Sequence, residues 1–598
     1  MSGNMRNSMP SNDSGNRTAR LRLLIVPFCA LLAVVPLLWH GNSCGNDFNF
    51  HLLSWMEVHA TWHTGNFYPH WAMQPNSGAG EPRFIFYPPI SWMLGAALGS
   101  LLGGSARGWS ATPGAFVFLV LTLAGFSMLA LLRRITTARA ALFTACLYIA
   151  NPYTLFVIYE RSDFAELMAA IWMPLLFLFA LQQCIRIVPL AFLVAALWLT
   201  HDASAVMGCY ALALLVLMST IVEYRQQRNL QLSVQRIGRA TAGVALGIGL
   251  AAFYIVPAAY EQRWVQIEQA IAGDMNPVAN FLFRHTTDAL HDHVLFMVSW
   301  IAVGLLCLGA VLCLVLWRQG KLQKKSLPVL MPVVVLFPVI GFLLLPVSWP
   351  LWRYVPELIY LQFPWRLLVP LTVVVSILLG VAITGINARF LSARFHSLWR
   401  TAPLFVAASV ALCYPSFHQF CDFQDVVPAQ FAAFHTAQGR TGYAGTDEYT
   451  PLATVSENLP DVMRAASIVQ LIHAYDPNDT PPPLPAGASV TVEVWHNDHR
   501  RIAVTIPPEM AAKNPQAALL RMLDYPAWRI RVNGHLLQLH LHTVDGRLYI
   551  PLPPGNSVIT IDHVTTADVW VGRGISILSL LVVFVLLGWR KFRRMSSV

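Results

Sequence analysis

Twelve apolar runs, each long enough to cross the ~30 Å hydrocarbon core of a bilayer, restrict this chain to one class of fold. In lipid every backbone N–H and C=O needs an internal partner, so runs of this length are helices. They lie near 21–40, 112–132, 138–158, 163–183, 187–201, 203–222, 240–260, 293–317, 328–347, 365–387, 401–416 and 571–589. The 598 residues are 56% hydrophobic and 12% charged, with a mean hydropathy of +0.53, which excludes a soluble protein of this size. The formal charge of +10 does not point to nucleic acid, because Lys and Arg fall in short clusters between the apolar runs. The first twenty residues are polar and basic, and Leu21–Trp39 carries no small-residue cleavage site, so it reads as an uncleaved first helix.

Orientation follows from the basic clusters. Arg133/Arg134/Arg139, Arg225/Arg228/Arg236, Arg318/Lys321/Lys324/Lys325, Arg389/Arg394/Arg400 and Arg590/Lys591/Arg593/Arg594 should face the cytoplasm. They alternate correctly across twelve spans with both termini inside, if the short, glycine-rich run Pro88–Gly104 is a juxtamembrane or re-entrant helix of the first outer loop. The expected organisation is a cytoplasmic tail over 1–20, a multi-span domain over 21–416 with a long outer loop at 41–111, an outer domain over 417–570, and a last span with a basic tail over 571–598. In that outer domain Val490–Pro508, Leu523–Val544 and Arg547–Val564 alternate with period two, broken by Asn-Gly, Asp-Gly and Pro-Gly-Asn turns; a β-sandwich is the natural reading. The stretch Asp476–Gly487 is a proline-rich connection. Nine scattered cysteines give no zinc spacing; Cys44 and Cys421 both fall in outer segments, which leaves a disulfide between them open.

The outer side also collects the isolated acids and most histidines. A helix opening at Asp47 (DFNFHLLSWMEVHATWH) puts Asp47, His51, Trp55, His59 and His63 along one stripe, so Asp47 is either a helix cap at headgroup level or a general base assisted by His51. In YERSDFAEL, Asp163 and Glu166 share a helix face; with Asp47 they could hold a divalent cation, or they could simply pair with Arg161. His201-Asp202 is a metal ligand or another cap. Arg83, Arg284, Arg353 and Arg366 are outer cations near membrane ends, suited to a phosphate or pyrophosphate headgroup, with Arg366 best fixed by its prolines and aromatics. The chain has no phosphate-binding GxxxxGK[ST], dinucleotide-type glycine fingerprint or GxSxG elbow, and its inner loops are too short for cytoplasmic nucleotide chemistry.

The residues Asp47–His51, Gly65–Trp71 (GNFYPHW), Asn76–Pro82 (NSGAGEP), Phe84–Pro89 (FIFYPP), RSDFAE, LTHDAS, FYIVPAAYE and LQFPWR resemble a bacterial integral-membrane family labelled 6-pyruvoyl-tetrahydropterin synthase-related; DYPAWRIRVNG is similar to the outer domain of YfhO-like proteins. Nothing resembles a soluble pterin synthase with its zinc-binding histidine triad. The family looks like a branch of the GT-C glycosyltransferases, which implies a polytopic α-helical fold with a periplasmic β-rich domain. It also implies transfer of a hexosyl or pentosyl group from a polyprenyl-phosphate donor to a glycan, lipid or protein acceptor at the periplasmic face of the bacterial inner membrane. By resemblance Asp47 is the first-loop catalytic carboxylate and Asp163 or Glu166 the second, with His51 assisting. Arg83, Tyr87, Arg161, Arg284, Trp365 and Arg366 would bind the donor. Asp47, Asp163 and His201 would hold Mg2+, Mn2+ or Zn2+ if a cation is used at all. The rival expectations are a flippase or transporter for a lipid-linked saccharide and a non-catalytic scaffold for envelope polysaccharide assembly.

Overall fold

Polar punctuation, more than hydropathy, sets where the helices of this chain stop. The computed structural model describes residues 23–321, 327–386, 398–422, 425, 442–454, 466–473, 487–508 and 516–595. The tail 1–20, the basic residues Lys324, Lys325, Arg389 and Arg394, and all but the last residue of the proline-rich connection lie outside them. Six described helical segments are long and apolar enough to cross a bilayer: Ala106–Leu132, Ala138–Arg161, Asp202–Gln227, Ala289–Arg318, Pro364–Gly385 and Ala567–Gly588. Two bent pairs, Leu230–Leu250 with Ala252–Trp264 (71°) and Pro328–Leu343 with Pro346–Tyr354 (95°), raise the number to eight if each is one span. Three of the twelve expected runs are shorter helices, Ile25–His40, Phe164–Ala180 and Ile187–Trp198, of 16, 17 and 12 residues. The run near 88–104 forms Pro89–Leu101, 13 residues or about 20 Å at 1.5 Å per residue.

Among the described residues nine strands make two antiparallel sheets. β1 (Val469–His473), β4 (Gln516–Leu523), β8 (Arg547–Leu552) and β7 (Leu541–His542) lie in that order in one sheet; β2 (Ser489–Trp495), β3 (His499–Ile506), β9 (Gly555–His563), β5 (Trp528–Val532) and β6 (His535–Leu536) form the other. Leu471, Leu520 and Ile550 from the first sheet share one buried core with Ile502, Ile530 and Ile559 from the second, so the alternation does build a sandwich. The Asn-Gly turn sits where expected: Asn533 and Gly534 have φ of 52° and 82°, the left-handed pair that a tight β5–β6 hairpin requires.

The sandwich is seated on the long first loop. Trp71, Ile85 and Phe86 enter its core, and the Trp71 ring meets Trp528 edge-on with centroids 5.1 Å apart. Cys44 and Cys421 are bonded, Cα to Cα 5.0 Å, which ties the start of that loop to the chain after the helix Leu398–Phe417. Closing so long a stretch removes unfolded-chain freedom worth about 2–5 kcal/mol. Cys421→Ser should therefore lower the thermal midpoint of the nanodisc-embedded protein. Non-reducing peptide mapping should find the two cysteines linked; free thiols at both positions would sink the assignment.

Candidate functional site

The site is built where the first loop crosses the acidic segment 159–166. After Ala138–Ile149 the chain makes a short helix, Pro152–Phe156, then a π-helical turn, Val157–Arg161, and Ser162 takes φ of 53°. Such turns are common at functional sites. The loop lies against this turn so closely that a Cβ on Gly45 would stand 2.2 Å from the Glu160 carbonyl oxygen. Gly45 N donates to Ser162 Oγ at 3.1 Å and Asp47 N to the Arg161 carbonyl at 3.0 Å. The helix Phe48–His63 starts directly after Asp47, whose side chain makes no capping hydrogen bond; its carboxyl is used elsewhere.

That carboxyl meets Arg161, Nη2 to Oδ2 at 2.5 Å. Arg161 also meets Asp163 Oδ2 at 3.5 Å, and its guanidinium lies over the rings of Trp365 and Phe363, 4.9 and 5.4 Å from their centroids. Asp163 does not share a helix face with Glu166, as the spacing suggested. It caps the helix Phe164–Ala180 and accepts from Glu166 N at 2.9 Å. Arg366 Nε lies 3.3 Å from Glu166 Oε2, and its Nη1 donates to the Leu361 carbonyl and to Gln362 Oε1, each at 2.9 Å. His51 sits among Phe50, Trp55, Tyr87 and Phe164, with Nε2 3.5 Å from Asp163 Oδ1. His201 Nδ1 meets Ser204 Oγ at 2.8 Å.

Asp47, His51, Tyr87, Arg161, Asp163, His201, Trp365 and Arg366 all line one cavity of about 720 Å3. Glu166 lies behind it, held by Tyr153 and Arg366. Exposure separates the acids: the Asp47 side chain is 33% exposed, those of Asp163 and Glu166 only 4% and 1%. Several donors of this wall have no partner. Arg161 Nη1 and Trp365 Nε1 are buried without a hydrogen bond among the described residues. Burial works against the Asp163 carboxylate, but the adjacent His51 and the Arg161 charge hold it well below the usual range. Burial drives His201 down to about 3, so it is neutral at pH 7.

Two expected cations are not there. Arg83 is buried against Glu81 (2.7 Å) and also donates to Ser54 Oγ and Thr446 Oγ1, so its charge is spent in joining the first loop to residues 442–454. Arg284 is exposed in the loop before Ala289–Arg318 and lines no part of the cavity. The expected metal set also changes. Asp163, Glu166 and His201 place one ligand atom each within 4.8 Å of one another, a donor set that suits a divalent cation. Both carboxyls already carry a guanidinium, however, and Asp47 is drawn to Arg161, so the arrangement fits a metal poorly.

Some of the lining is not singled out residue by residue in the sequence. Tyr254 and Gln362 belong to FYIVPAAYE and LQFPWR, and they line the cavity near the bends at Ala252–Trp264 and Pro346–Tyr354. Glu448 and Tyr449 reach it from the chain before β1. Glu448 is pushed up to about 7 by burial, with Glu81 and Asp447 adding to it. Only position in three dimensions marks these last two; DEY at 447–449 reads as ordinary loop.

Acid should unpick the site. His201 binds a proton near pH 6.5 when unfolded and only near 3 when folded, so stability is full above pH 6.5 and falls as pH drops toward 3. Asp163 adds loss at still lower pH, because its folded value lies below 3.8. Glu448, pushed up to about 7, acts in the opposite sense over this range, so the comparison of two proteins isolates the histidine. Between pH 7 and pH 5 the thermal midpoint of the wild type should change less favourably than that of His201→Gln, and equal slopes would remove His201 as a contributor.

Among solved structures the chain is similar to arabinofuranosyltransferase AftD from mycobacteria, at 13% identity and a TM-score of 0.42, covering 92% of this chain and 40% of AftD. This chain thus spans well under half of AftD's length. It is also similar to ArnT from Cupriavidus metallidurans, solved bound to undecaprenyl phosphate, at 13% identity and a TM-score of 0.26, covering 68% of this chain and 90% of that one. No curated protein matches the chain. The family model for the 6-pyruvoyl-tetrahydropterin synthase related domain, a membrane protein, matches residues 84–418, more than half the chain, and the protein belongs to that family.

Proposed function

We propose that this protein is a membrane glycosyltransferase that moves a sugar from a polyprenyl-phosphate donor to an acceptor outside the cytoplasm. The observation that carries the reading is the pair of unpartnered buried donors, Arg161 Nη1 and Trp365 Nε1, on the wall that also carries Arg366. Buried donors without acceptors cost about 1–3 kcal/mol each, and an anionic oxygen is the ligand that satisfies them. A second, apolar cavity of about 770 Å3 supports a lipid-borne phosphate. Met207, Leu214, Val334, Phe342, Leu351 and Leu358 line it, and it shares the helix Asp202–Gln227 and the stretch 355–367 with the polar one. An isoprenoid chain suits such a lining.

In this mechanism Asp47, the exposed carboxylate of the three, takes the proton of an acceptor hydroxyl or amide. The acceptor atom then bonds to the anomeric carbon from the face opposite the phosphate, and the carbon–phosphate oxygen bond breaks with its electron pair leaving on the lipid phosphate. The configuration inverts. Arg161, Arg366 and the Trp365 N–H hold the charge that develops on the leaving oxygen, the largest contribution to rate in such preorganised sites. Asp163, Glu166 and His51 are positioning residues: they fix the two guanidiniums and the base. No bound cation is required, since the guanidiniums supply the positive charge. The same reading takes the membrane topology as twelve crossings with both termini cytoplasmic, counting the three shorter apolar helices and Leu398–Phe417 with the eight, and puts the sandwich in the periplasm of a bacterial inner membrane.

Purified protein in nanodiscs, given a panel of radiolabelled polyprenyl-phosphate sugars, should release label to acceptor or water. Asp47→Asn should cut that turnover by about 10²–10⁴-fold while keeping donor affinity. Arg366→Ala should weaken donor binding by roughly ten- to a hundredfold. Donor bound but never turned over by the wild type would favour a flippase; donor neither bound nor turned over would favour a scaffold.

A further inference from the structure

The cavity has a second wall that the proposed chemistry leaves unused. Asp202 opens the helix Asp202–Gln227, and its Oδ2 accepts from Tyr254 Oη at 2.8 Å. That tyrosine also donates to the Phe86 carbonyl at 2.7 Å, which joins the bent helix Ala252–Glu261 to the first loop. Asp202 Oδ1 is buried and has no hydrogen-bond partner among the described residues. Beside it the cavity is lined by Glu448, Gln262 and the rings of Phe86 and Tyr449, which stack with centroids 5.6 Å apart and planes at 16°. Glu448 forms no ion pair among the described residues.

The two walls are chemically opposite. One offers hydrogen-bond donors without acceptors, Arg161 Nη1 and Trp365 Nε1; the other offers a carboxylate oxygen without a donor. An ionised carboxyl accepts there and a protonated one donates, so the missing group is a polar one that can play either part, as a hydroxyl can. The lining carries both signs, Arg161 and Arg366 beside Asp47, Asp163 and Glu448, so the class of ligand follows from hydrogen bonding more than from net charge. A neutral ring bearing several hydroxyls meets every requirement: its hydroxyls donate to the carboxylates and accept from tyrosine and glutamine, while its C–H face lies on an aromatic ring.

We infer that Asp202, Tyr254, Glu448 and Tyr449 form a saccharide subsite in the same cavity as the phosphate wall, an assignment that rests on the transferase reading for its class of ligand. Asp202 is the anchor, its Oδ2 fixed by Tyr254 so that Oδ1 is left for a sugar hydroxyl. Glu448 takes a second hydroxyl, and Tyr449 offers the platform. The sugar is either the one carried by the lipid phosphate or a terminal residue of the acceptor glycan.

Saturation-transfer difference NMR on the nanodisc-embedded full chain tests this without any turnover, using a panel of neutral methyl pyranosides and furanosides at millimolar concentration. The wild type should transfer saturation to at least one glycoside. Asp202→Asn and Glu448→Gln, both of nearly unchanged shape, should each weaken that affinity about tenfold or more, with thermal midpoints within a few degrees of wild type. Arg284→Ala, an exposed position away from the cavity, is the control. Added polyprenyl-phosphate sugar distinguishes the two sources: loss of the glycoside signal assigns the subsite to the donor sugar, and persistence assigns it to the acceptor. No signal with wild type, or equal affinities in wild type and both variants, overturns the inference. The transfer assay stands apart from this one. Glycoside binding that depends on Asp202 in a protein without transfer would keep the subsite and discard the transferase, and transfer untouched by both variants would do the reverse.

Discussion

The guanidinium of Arg161 is buried between two carboxyls that come from different parts of the chain, Asp47 in the first loop and Asp163 two residues further along, and it lies over Trp365 from a third part. Taking such a group out of water costs several kcal/mol, which is recovered only when its partners stand in place. The first loop, the turn before Phe164–Ala180 and the stretch leading into Leu368–Ile386 must therefore be assembled together. The contacts that seat the loop reflect this constraint: Gly45 lets it approach the Glu160 carbonyl, Asp47 N reaches the Arg161 carbonyl, and the Cys44–Cys421 bond fixes its start.

Once Arg161 is placed, the roles of the acids diverge for electrostatic reasons. Asp163 and Glu166 lie deep and are matched by Arg161, Arg366 and the helix N-terminus that Asp163 caps. Both carboxyls are shielded from a substrate; they hold geometry. Asp47 touches the same guanidinium with one oxygen and keeps the cavity side open, so it alone of the three combines a fixed position with access. Three carboxyls against two guanidiniums also leave little excess charge for either a metal or a highly charged anion, and the phosphodiester that joins lipid to sugar in the proposed donor, with its single negative charge, is of the right modest size.

The sequence made much of this legible, and the failures have a common cause. Apolar length revealed the membrane class, and the Asn-Gly turn predicted the β5–β6 hairpin because only certain residues accept positive φ. Asp47, Arg161, Asp163 and Arg366 stood out because isolated charges beside apolar runs are costly unless used. Arg83 misled because its partner Glu81 is two residues away, and sequence alone cannot say whether so near an acid turns toward it. Arg284 misled because nearness to a membrane end says nothing about which way a loop folds. Glu448 was invisible for the opposite reason, since a loop crossing carries it into the cavity and leaves no mark on local composition; Tyr254 stood inside FYIVPAAYE, but nothing local said that a helix bend would bring it to the cavity.

The bends themselves explain why this cavity can be both polar and set among apolar helices. A straight helix presents hydrogen-bonded backbone and side chains alone, whereas the breaks before Ala252 and at Pro346 let short helices and turns close over the ends of the long ones. Irregular backbone at that depth survives only where protein or water covers it. Here the sandwich and the first loop do the covering, with Trp71, Ile85 and Phe86 reaching from the loop into the core of the sandwich. The β-rich part of the chain is thus a roof on which the polar cavity depends, and Tyr449, stacked on Phe86 at the inner edge of that roof, is where its fold and the chemistry beneath it meet.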